Sequence, residues 1–160
     1  MILRSAPASP FGRKVKMAAH IVGLIDRIKI VNADTLSAED DLRQQNPLGK
    51  IPTLILDHGP VLYDSRVIID YLDEISGGGR LIPARGDDRY AVLVMQALAD
   101  GLMDAAILQI YEIRFRAEDR REPKWVNHQA GKVDRALAAL EAHPPHLGPV
   151  PHIGTVAVAC

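Results

Sequence analysis

The residues best suited to chemistry in this sequence are two serines near its start, in Ser5-Ala-Pro-Ala-Ser9-Pro-Phe-Gly-Arg13. Ser9 precedes Pro10, a residue favoured in the first turn of a helix, so the pattern predicts that Ser9 caps a helix. The first amide groups of a helix lack partners within it, and the dipole is positive there, which stabilises an anion. Ser9 therefore has two interpretations: a helix cap, or a hydroxyl that donates to a bound anion.

A second candidate site is the segment Asn46-Pro-Leu-Gly-Lys-Ile-Pro-Thr53, in which a proline opens a short apolar run. The Ile51–Pro52 bond is a candidate for the cis form, which costs little before proline. A strand that begins in this way leaves the backbone N–H and C=O of Ile51 free to pair with an extended peptide ligand. The alternative interpretation is an ordinary loop that leads into an edge strand.

The third candidate site is Tyr63-Asp-Ser-Arg66, which opens another helical pattern. Ser65 can cap that helix, or its hydroxyl and the neighbouring amides can receive a carboxylate. Asp64 would then suit an ammonium group. Together the three segments offer an anion or thiolate site, a backbone edge for a peptide, and a site for an amino-acid head group.

These segments stand at the junctions between strand and helix patterns in the first half of the chain. The predicted order is βαβαββα: strand Met1–Leu3, helix Pro10–Val22 ended by Gly23, strand Arg27–Val31, weak helix Ser37–Gln45, strands Pro52–Leu56 and Pro60–Leu62, and helix Ser65–Ile75. The stretch Ser76-Gly-Gly-Gly-Arg80 follows and is the most flexible by composition. The sequence therefore predicts a first domain at 1–76 and a linker at 77–86.

The second half of the chain, residues 87–160, shows only helical patterns. Asp88 to Arg116 is apolar nearly all round, so that helix needs cover on most faces, from its own domain or from a partner subunit. Within it, Asp100 and Asp104 share one face and are expected to line a cleft between the domains or to cap buried groups. Further helices are predicted at Lys124–Ala142 and Ile153–Cys160.

In this order, the three segments resemble the glutathione transferase family, in particular its bacterial serine-type members. The family's Ser-Pro-Phe-x-Arg-Lys-Val corresponds to residues 9–15, Asn-Pro-x-Gly-Lys-(Val/Ile)-Pro to 46–52, and (Glu/Asp)-Ser-Arg-x-Ile to 64–68. The resemblance covers residues 1–75 well and the remainder more loosely. It implies a fold that joins an α/β thioredoxin-like domain to an all-α C-terminal domain. Since the family's chains are longer than 160 residues, we expect that domain to be incomplete, and Thr155 to have lost a helix cap that relatives supply with Asp.

The resemblance also implies the roles of individual residues. Ser9 would donate a hydrogen bond to the sulfur of glutathione, with Ser5 as the alternative, and so favour the thiolate of a group whose ordinary pKa is about 8.5. No metal is implied. The glutathione-binding residues would be Phe11, Lys50, Ile51, Pro52, Asp64 and Ser65, and the electrophile pocket would include Tyr111 and Arg114.

The expected activity is conjugation of the glutathione thiolate to a small hydrophobic electrophile, as in detoxification, by a homodimer. Two alternatives remain open: a glutathione-dependent isomerase or dehalogenase on the same fold, and a non-catalytic interaction module. A disulfide reductase is disfavoured because no cysteine lies at the helix start. Glutathione is the only cosubstrate that the resemblance implies.

Composition supports this class of protein and argues against others. Lys and Arg number 19 and Asp and Glu 20, so the chain lacks the basic excess of a general nucleic-acid or membrane-surface binder. No stretch approaches the roughly 18 uninterrupted apolar residues of a membrane span. The single cysteine, Cys160, excludes a disulfide within the chain and a cysteine pair for zinc, and suits a reducing cytoplasm.

Overall fold

The computed structural model describes residues 1–160, which begin with a mixed four-stranded sheet of order β2-β1-β3-β4. The strands are β1 (Ile2–Ser5), β2 (Lys29–Asn32), β3 (Thr53–Ile55) and β4 (Val61–Leu62). β1 runs parallel to β2 and antiparallel to β3, and β3 pairs antiparallel with β4. All four strands of the predicted βαβαββα order are therefore present.

Three helices accompany the sheet: α1 (Pro10–Ile21), α2 (Leu42–Gln45) and α3 (Ser65–Ile75). Apolar side chains of α1 and α3 pack against Leu3 of β1 and Leu54 of β3 in the main core. Ser9 caps α1 as predicted, and its Oγ accepts a hydrogen bond of 3.0 Å from the N–H of Gly12. The glycine after α1, Gly23, has a φ of 74° and ends the helix in the left-handed region. The N-terminal half is a thioredoxin-like fold.

The predicted helix Ser37–Gln45 is wrong in its first half, because only Leu42–Gln45 is helical. Side-chain oxygens upstream bind nearby amides instead: Asp34 accepts from Leu36, Ser37 from Glu39, and Asp40 from Leu42. Such local hydrogen bonds compete with helix formation and favour turns.

The second half of the chain consists of α4 (Asp87–Phe115), α5 (Pro123–Ala142) and α6 (Ile153–Val158). All three helices were predicted, and their bounds differ by one or two residues. The helix α6 approaches α4 very closely, since a Cβ atom on Gly154 would lie 2.9 Å from the carbonyl oxygen of Val92. The main core continues from the sheet into these helices through Val92, Ile153 and Val156.

The glycine-rich stretch after α3 is anchored rather than flexible, and that prediction is wrong. Asp73 is buried, and its carboxylate accepts hydrogen bonds from the amides of residues 79, 80, 81 and 82. The next residue of the core, Leu81, is fully buried and accepts a hydrogen bond from the N–H of Ile153. A single carboxylate thus gathers four amides that would otherwise lack partners. The domain division at residues 77–86 remains a prediction.

The helix α6 has a cap that the sequence was expected to have lost. The Nδ1 atom of His152 accepts a hydrogen bond of 3.3 Å from the N–H of Thr155, and the Thr155 hydroxyl donates to the carbonyl of His152. Burial lowers the pKa of His152, which favours the neutral imidazole that can accept this bond.

By length and hydropathy alone, α4 could span a membrane. The core helix of a folded domain meets the same criteria, and α4 packs along α5 and α6. It also carries a fully buried carboxylate, Asp100, which is paired with cations of the first half. These contacts tie α4 to both halves of the fold.

Candidate functional site

A cleft of about 110 Å³ lies between the edge of the sheet and α4. It collects residues from four separate parts of the chain: the start of α1, the loop before β3, the start of α3 and the middle of α4. Its lining comprises Phe11, Asn46, Leu48, Lys50, Ile51, Pro52, Tyr63, Asp64, Ser65, Arg66, Asp100 and Asp104. All six residues expected to bind glutathione belong to this lining.

Neither candidate serine belongs to the cleft lining, and the two occupy different environments. Ser9 is partly exposed at the N-terminus of α1, and its Oγ accepts from Gly12, so its own proton remains free to be donated. Ser5, at the end of β1, is 2% exposed, and its Oγ has no hydrogen-bond partner. The exposed hydroxyl at the positive end of a helix is the one better placed to meet an anion.

The Ser5 hydroxyl fills the space that a side chain at position 12 would need. A Cβ atom on Gly12 would overlap the Oγ of Ser5, whereas the nearest atoms of Ser9 would lie 3.3 Å away. We therefore expect Gly12→Ala to destabilise the fold by about 1–3 kcal/mol through overpacking. Adding Ser5→Ala should restore most of that loss, because it removes the overlapping atom.

Urea denaturation of the two single variants and the double variant measures this coupling. The expectation would be contradicted if the two changes were additive, since Ser5 would then not be the atom that Gly12 accommodates.

The loop before β3 is held by a buried amide. Asn46 is 1% exposed, and its Nδ2 donates to the carbonyl of Lys50 and to the hydroxyl of Thr53, both at 3.0 Å. The Ile51–Pro52 bond is cis. The backbone N–H and C=O of Ile51 make no hydrogen bond within the chain. An extended peptide can therefore pair with Ile51 in the way that the sequence suggested.

At the start of α3, the cap is Asp64 and not Ser65, so the helix-cap interpretation of Ser65 is wrong. The Oδ1 of Asp64 accepts from the N–H of Arg66 at 2.9 Å, and Ser65 is the first residue of the helix. The short Asp side chain reaches two residues ahead, and Ser65 is therefore not needed as the cap. The Tyr63–Asp64 peptide is cis.

One wall of the cleft is formed by a buried carboxylate between two cations. Asp100 of α4 accepts from Lys14 of α1 at 2.5 Å and from Arg66 of α3 at 2.9 Å. Lys14 and Asp100 have no solvent exposure, while about half of the Arg66 side chain is exposed. The three charges join α1 and α3 to α4 of the helical half, and we name them the Lys14–Asp100–Arg66 triad.

Burial shifts the pKa of one member of this triad, Lys14, and that of one neighbour, Asp104. Burial lowers the pKa of Lys14, although its hydrogen bond and charge interaction with Asp100 work in the opposite direction. Burial, and then the charge of Asp100, raise the pKa of Asp104, one turn further along α4. The cleft therefore presents both signs of charge within a few ångströms, as a zwitterionic ligand requires.

Sequence reasoning placed the two α4 carboxylates correctly but overlooked Lys14. A signal was present, because Lys14 lies three residues after Phe11 and four before Ala18, on the apolar face of α1. A lysine at such a position needs a buried counter-charge, but the sequence cannot say which carboxylate supplies it.

The two residues expected in the electrophile pocket lie outside the cleft lining. Tyr111 and Arg114 are exposed near the end of α4, and the ring of Tyr111 meets that of Phe115 edge to face at 5.2 Å. Tyr111 is seven residues after Asp104 and so continues the helix face that lines the cleft.

A thioredoxin-like sheet, a helical second half and a cleft between them together define a glutathione transferase fold. A family model for the glutathione S-transferase N-terminal domain matches residues 8–75. Among solved structures, a glutathione transferase family member from Pseudomonas fluorescens Pf-5 with bound glutathione is 44% identical, with a TM-score of 0.90. The match covers 99% of this chain and 79% of that one. The chain belongs to the glutathione S-transferase family.

The names of three other related proteins describe them in different ways. A glutathione S-transferase from Methylobacillus flagellatus with glutathione bound is 34% identical at a TM-score of 0.91. The GST-like protein YibF of Escherichia coli is 29% identical over 143 residues, which is 69% of its length. A probable maleylacetoacetate isomerase of Vibrio cholerae is 31% identical, and the match covers 61% of its length.

Proposed function

We propose that this protein is a glutathione transferase that joins the glutathione thiolate to small hydrophobic electrophiles. The observation that carries the proposal is the unpaired backbone of Ile51, which faces a charged cleft beside the N-terminus of α1. Glutathione is a short peptide with a zwitterionic end and a thiol. Its backbone would pair with Ile51, its zwitterionic end would meet the charged cleft, and its thiol would lie near the N-terminus of α1. The glutathione bound in two of the related structures supports the proposal.

The cleft suggests how each part of glutathione would be held. The γ-glutamyl end would meet Ser65 and the amides at the start of α3 with its carboxylate, and Asp64 with its ammonium group. The cysteinyl backbone would pair with Ile51 next to Pro52, and Lys50 would lie beside the glycyl carboxylate. Phe11 would pack against the peptide near the thiol.

The chemistry assigned to this arrangement is nucleophilic attack by sulfur. Ser9 would donate its hydroxyl proton in a hydrogen bond to the thiolate, which the positive end of α1 also stabilises. The sulfur then forms a bond to an electrophilic carbon, and the leaving group departs with the electron pair of the broken bond. The electrophile would lie against α4 beyond Asp104, toward Tyr111 and Arg114.

Binding and turnover of glutathione test this proposal directly. We expect the purified chain to be retained on immobilised glutathione and released by free glutathione. We also expect it to accelerate the coupling of glutathione to an activated aryl halide. Retention without coupling would favour another glutathione-dependent reaction, and the absence of retention would favour the non-catalytic interaction module.

A second candidate function is glutathione-dependent isomerisation, which the Vibrio cholerae relative favours. An isomerase uses glutathione without consuming it, whereas a transferase consumes one thiol for each turnover. Measuring free thiol beside product formation therefore separates the two activities.

We propose further that the protein acts in the cytoplasm as a homodimer. Large apolar side chains are exposed on α3 and α4: Val67 on α3, and Tyr90 and Val94 on α4. A two-fold contact through these helices would cover them. Analytical ultracentrifugation should then give a mass of twice 17.5 kDa.

A further inference from the structure

Arg4 is an unusual residue for the centre of this sheet. It lies on β1 between the buried residues Leu3 and Ser5 and is itself 6% exposed. Neighbours along a strand point to opposite faces, so Arg4 faces away from the Leu3 core and toward α2. Its partner across the strands is Thr53, the residue that helps Asn46 to hold the carbonyl of Lys50.

The guanidinium of Arg4 binds both ends of the segment that carries α2. One nitrogen donates to Asp40 at 2.6 Å, and the other donates to Asp41 and, at 2.8 Å, to the Oε1 of Gln45. Asp40 and Asp41 precede α2, and Gln45 is its last residue. One buried cation therefore sets the position of the whole short helix.

These contacts continue without a break to the cleft. The carboxylate of Asp40 also accepts from the amides of Asp34 and Leu42, which fixes the turn that leads into α2. Directly after Gln45 comes Asn46, whose side chain holds the carbonyl of Lys50. Five residues of the 46–52 loop line the cleft: Asn46, Leu48, Lys50, Ile51 and Pro52.

The apolar contact that α2 makes is too small to hold the helix in position by itself. The helix has four residues, and Leu42 is the only one of them that is buried. A single helical turn is not stable by itself in water, so its position on the sheet depends on the bonds that Arg4 makes. Lysine would not reproduce those bonds, because its three donors share one nitrogen, whereas the planar guanidinium reaches Asp40 with one nitrogen and Asp41 and Gln45 with another.

We propose that Arg4 is a positioning residue for glutathione: it anchors α2 to the sheet and thereby holds the 46–52 loop in its binding conformation. The inference rests on the proposed function, because it concerns the same cleft. Arg4 does not line the cleft and has no part in the chemistry. It therefore acts on the affinity for glutathione and leaves the chemical step unchanged.

The carboxylate of Asp40 remains charged beside Arg4 at neutral pH. The amide of Asp34 first, then that of Leu42 and the charge of Arg4, lower the pKa of Asp40. Burial alone would lower the pKa of Arg4. The hydrogen bond that Arg4 donates to Asp41 and the negative charges of Asp40 and Asp41 outweigh that effect and raise the pKa of Arg4.

The test compares Arg4→Met and Arg4→Lys with Lys29→Met in the full chain. Lys29 lies exposed on the edge strand β2 and makes no ion pair, so its substitution removes the same charge from the same sheet. In Arg4→Met we expect the Kd for glutathione to rise by about tenfold or more, with kcat at saturating glutathione within about twofold of wild type. The Kd of Arg4→Lys should lie between those of Arg4→Met and wild type, and the Kd of Lys29→Met should match wild type.

Hydrogen exchange gives a second readout that does not depend on turnover. In Arg4→Met, the amides of residues 42–50 should lose protection while those of α1 and α3 keep theirs. Wild-type affinity with unchanged protection at 42–50 would overturn the inference and leave the proposed function standing. An equal loss of protection throughout the chain would also overturn it, since Arg4 would then be a general stabilising residue. Failure of the wild-type chain to bind glutathione would instead overturn the proposed function, and this inference with it.

Discussion

Replacing Asp100 with asparagine is expected to lower the free energy of unfolding by about 3–5 kcal/mol. The change keeps the shape of the side chain but removes the charge that Lys14 and Arg66 share. Arg66 can return to water because half of its side chain is already exposed. Lys14 cannot reach water, because its side chain has no exposure. In the variant, Lys14 must therefore stay buried as an unpaired cation or lose its proton.

Asp104→Asn is the matched control for Asp100→Asn. It makes the same chemical change one turn along the same helix, at a carboxylate that is exposed and forms no ion pair. The part of Asp104 that the cleft shields from water, and the charge of Asp100, already raise the pKa of Asp104, so neutralising it should cost little. Equal urea midpoints for Asp100→Asn and Asp104→Asn would contradict the role given to the buried pair.

A double replacement separates the cost of a broken pair from the value of an intact one. Lys14→Met together with Asp100→Leu removes both buried charges and fills the site with apolar groups of similar size. We expect the double variant to be far more stable than Asp100→Asn, and within about 1–2 kcal/mol of wild type. The intact pair would then serve mainly to fix how the first half docks on α4.

Replacing Ser9 with alanine is expected to lower the rate of conjugation at neutral pH by about a hundredfold. The hydroxyl would be the donor to the thiolate, and without it the bound thiol should have a pKa closer to its ordinary value of about 8.5. The rate of the variant should therefore recover as the pH is raised from 7 to 9, whereas the affinity for glutathione should change little. Thiolate absorbance of the bound glutathione, followed against pH, measures the shift.

The loss of a helix cap must be separated from the loss of the donor. Ser9 also caps α1, so Ser9→Ala should cost about 1 kcal/mol of stability. Ser9→Asn keeps a capping side chain but lacks the hydroxyl, so it should restore stability and not the rate. Ser5→Ala is the matched control, because it removes the rival hydroxyl, and we expect it to retain the activity. Loss of activity in Ser5→Ala with a normal Ser9→Ala would reverse the assignment.

Local patterns in the sequence predicted the strands and helices and their order along the chain. Ser9, Pro10 and Gly23 bound α1, and the turn Asp57-His-Gly59 joins β3 to β4. These features depend on neighbours a few residues apart, which is the range over which caps, turns and hydrophobic periodicity act. The resemblance to the family supplied the six glutathione-binding candidates, and the fold collects all six in one cleft.

Local patterns failed where a single side chain serves distant backbone or a distant charge. The glycine-rich stretch after α3 looked flexible, but it folds around Asp73, whose carboxylate is buried and therefore must find donors. The expected loss of the α6 cap overlooked His152, since histidine is an uncommon cap.

The sequence by itself therefore determined the family of this protein, the order of its elements and the segments that surround its cleft. Tertiary structure alone decided the partners of its buried charges: Lys14 with Asp100, 86 residues away, and Arg4 with Asp40 and Asp41. The physical reason is that a buried charge must be paired, but any carboxylate of opposite sign could satisfy it. Only the packing of the helices on the sheet selects which carboxylate comes within reach.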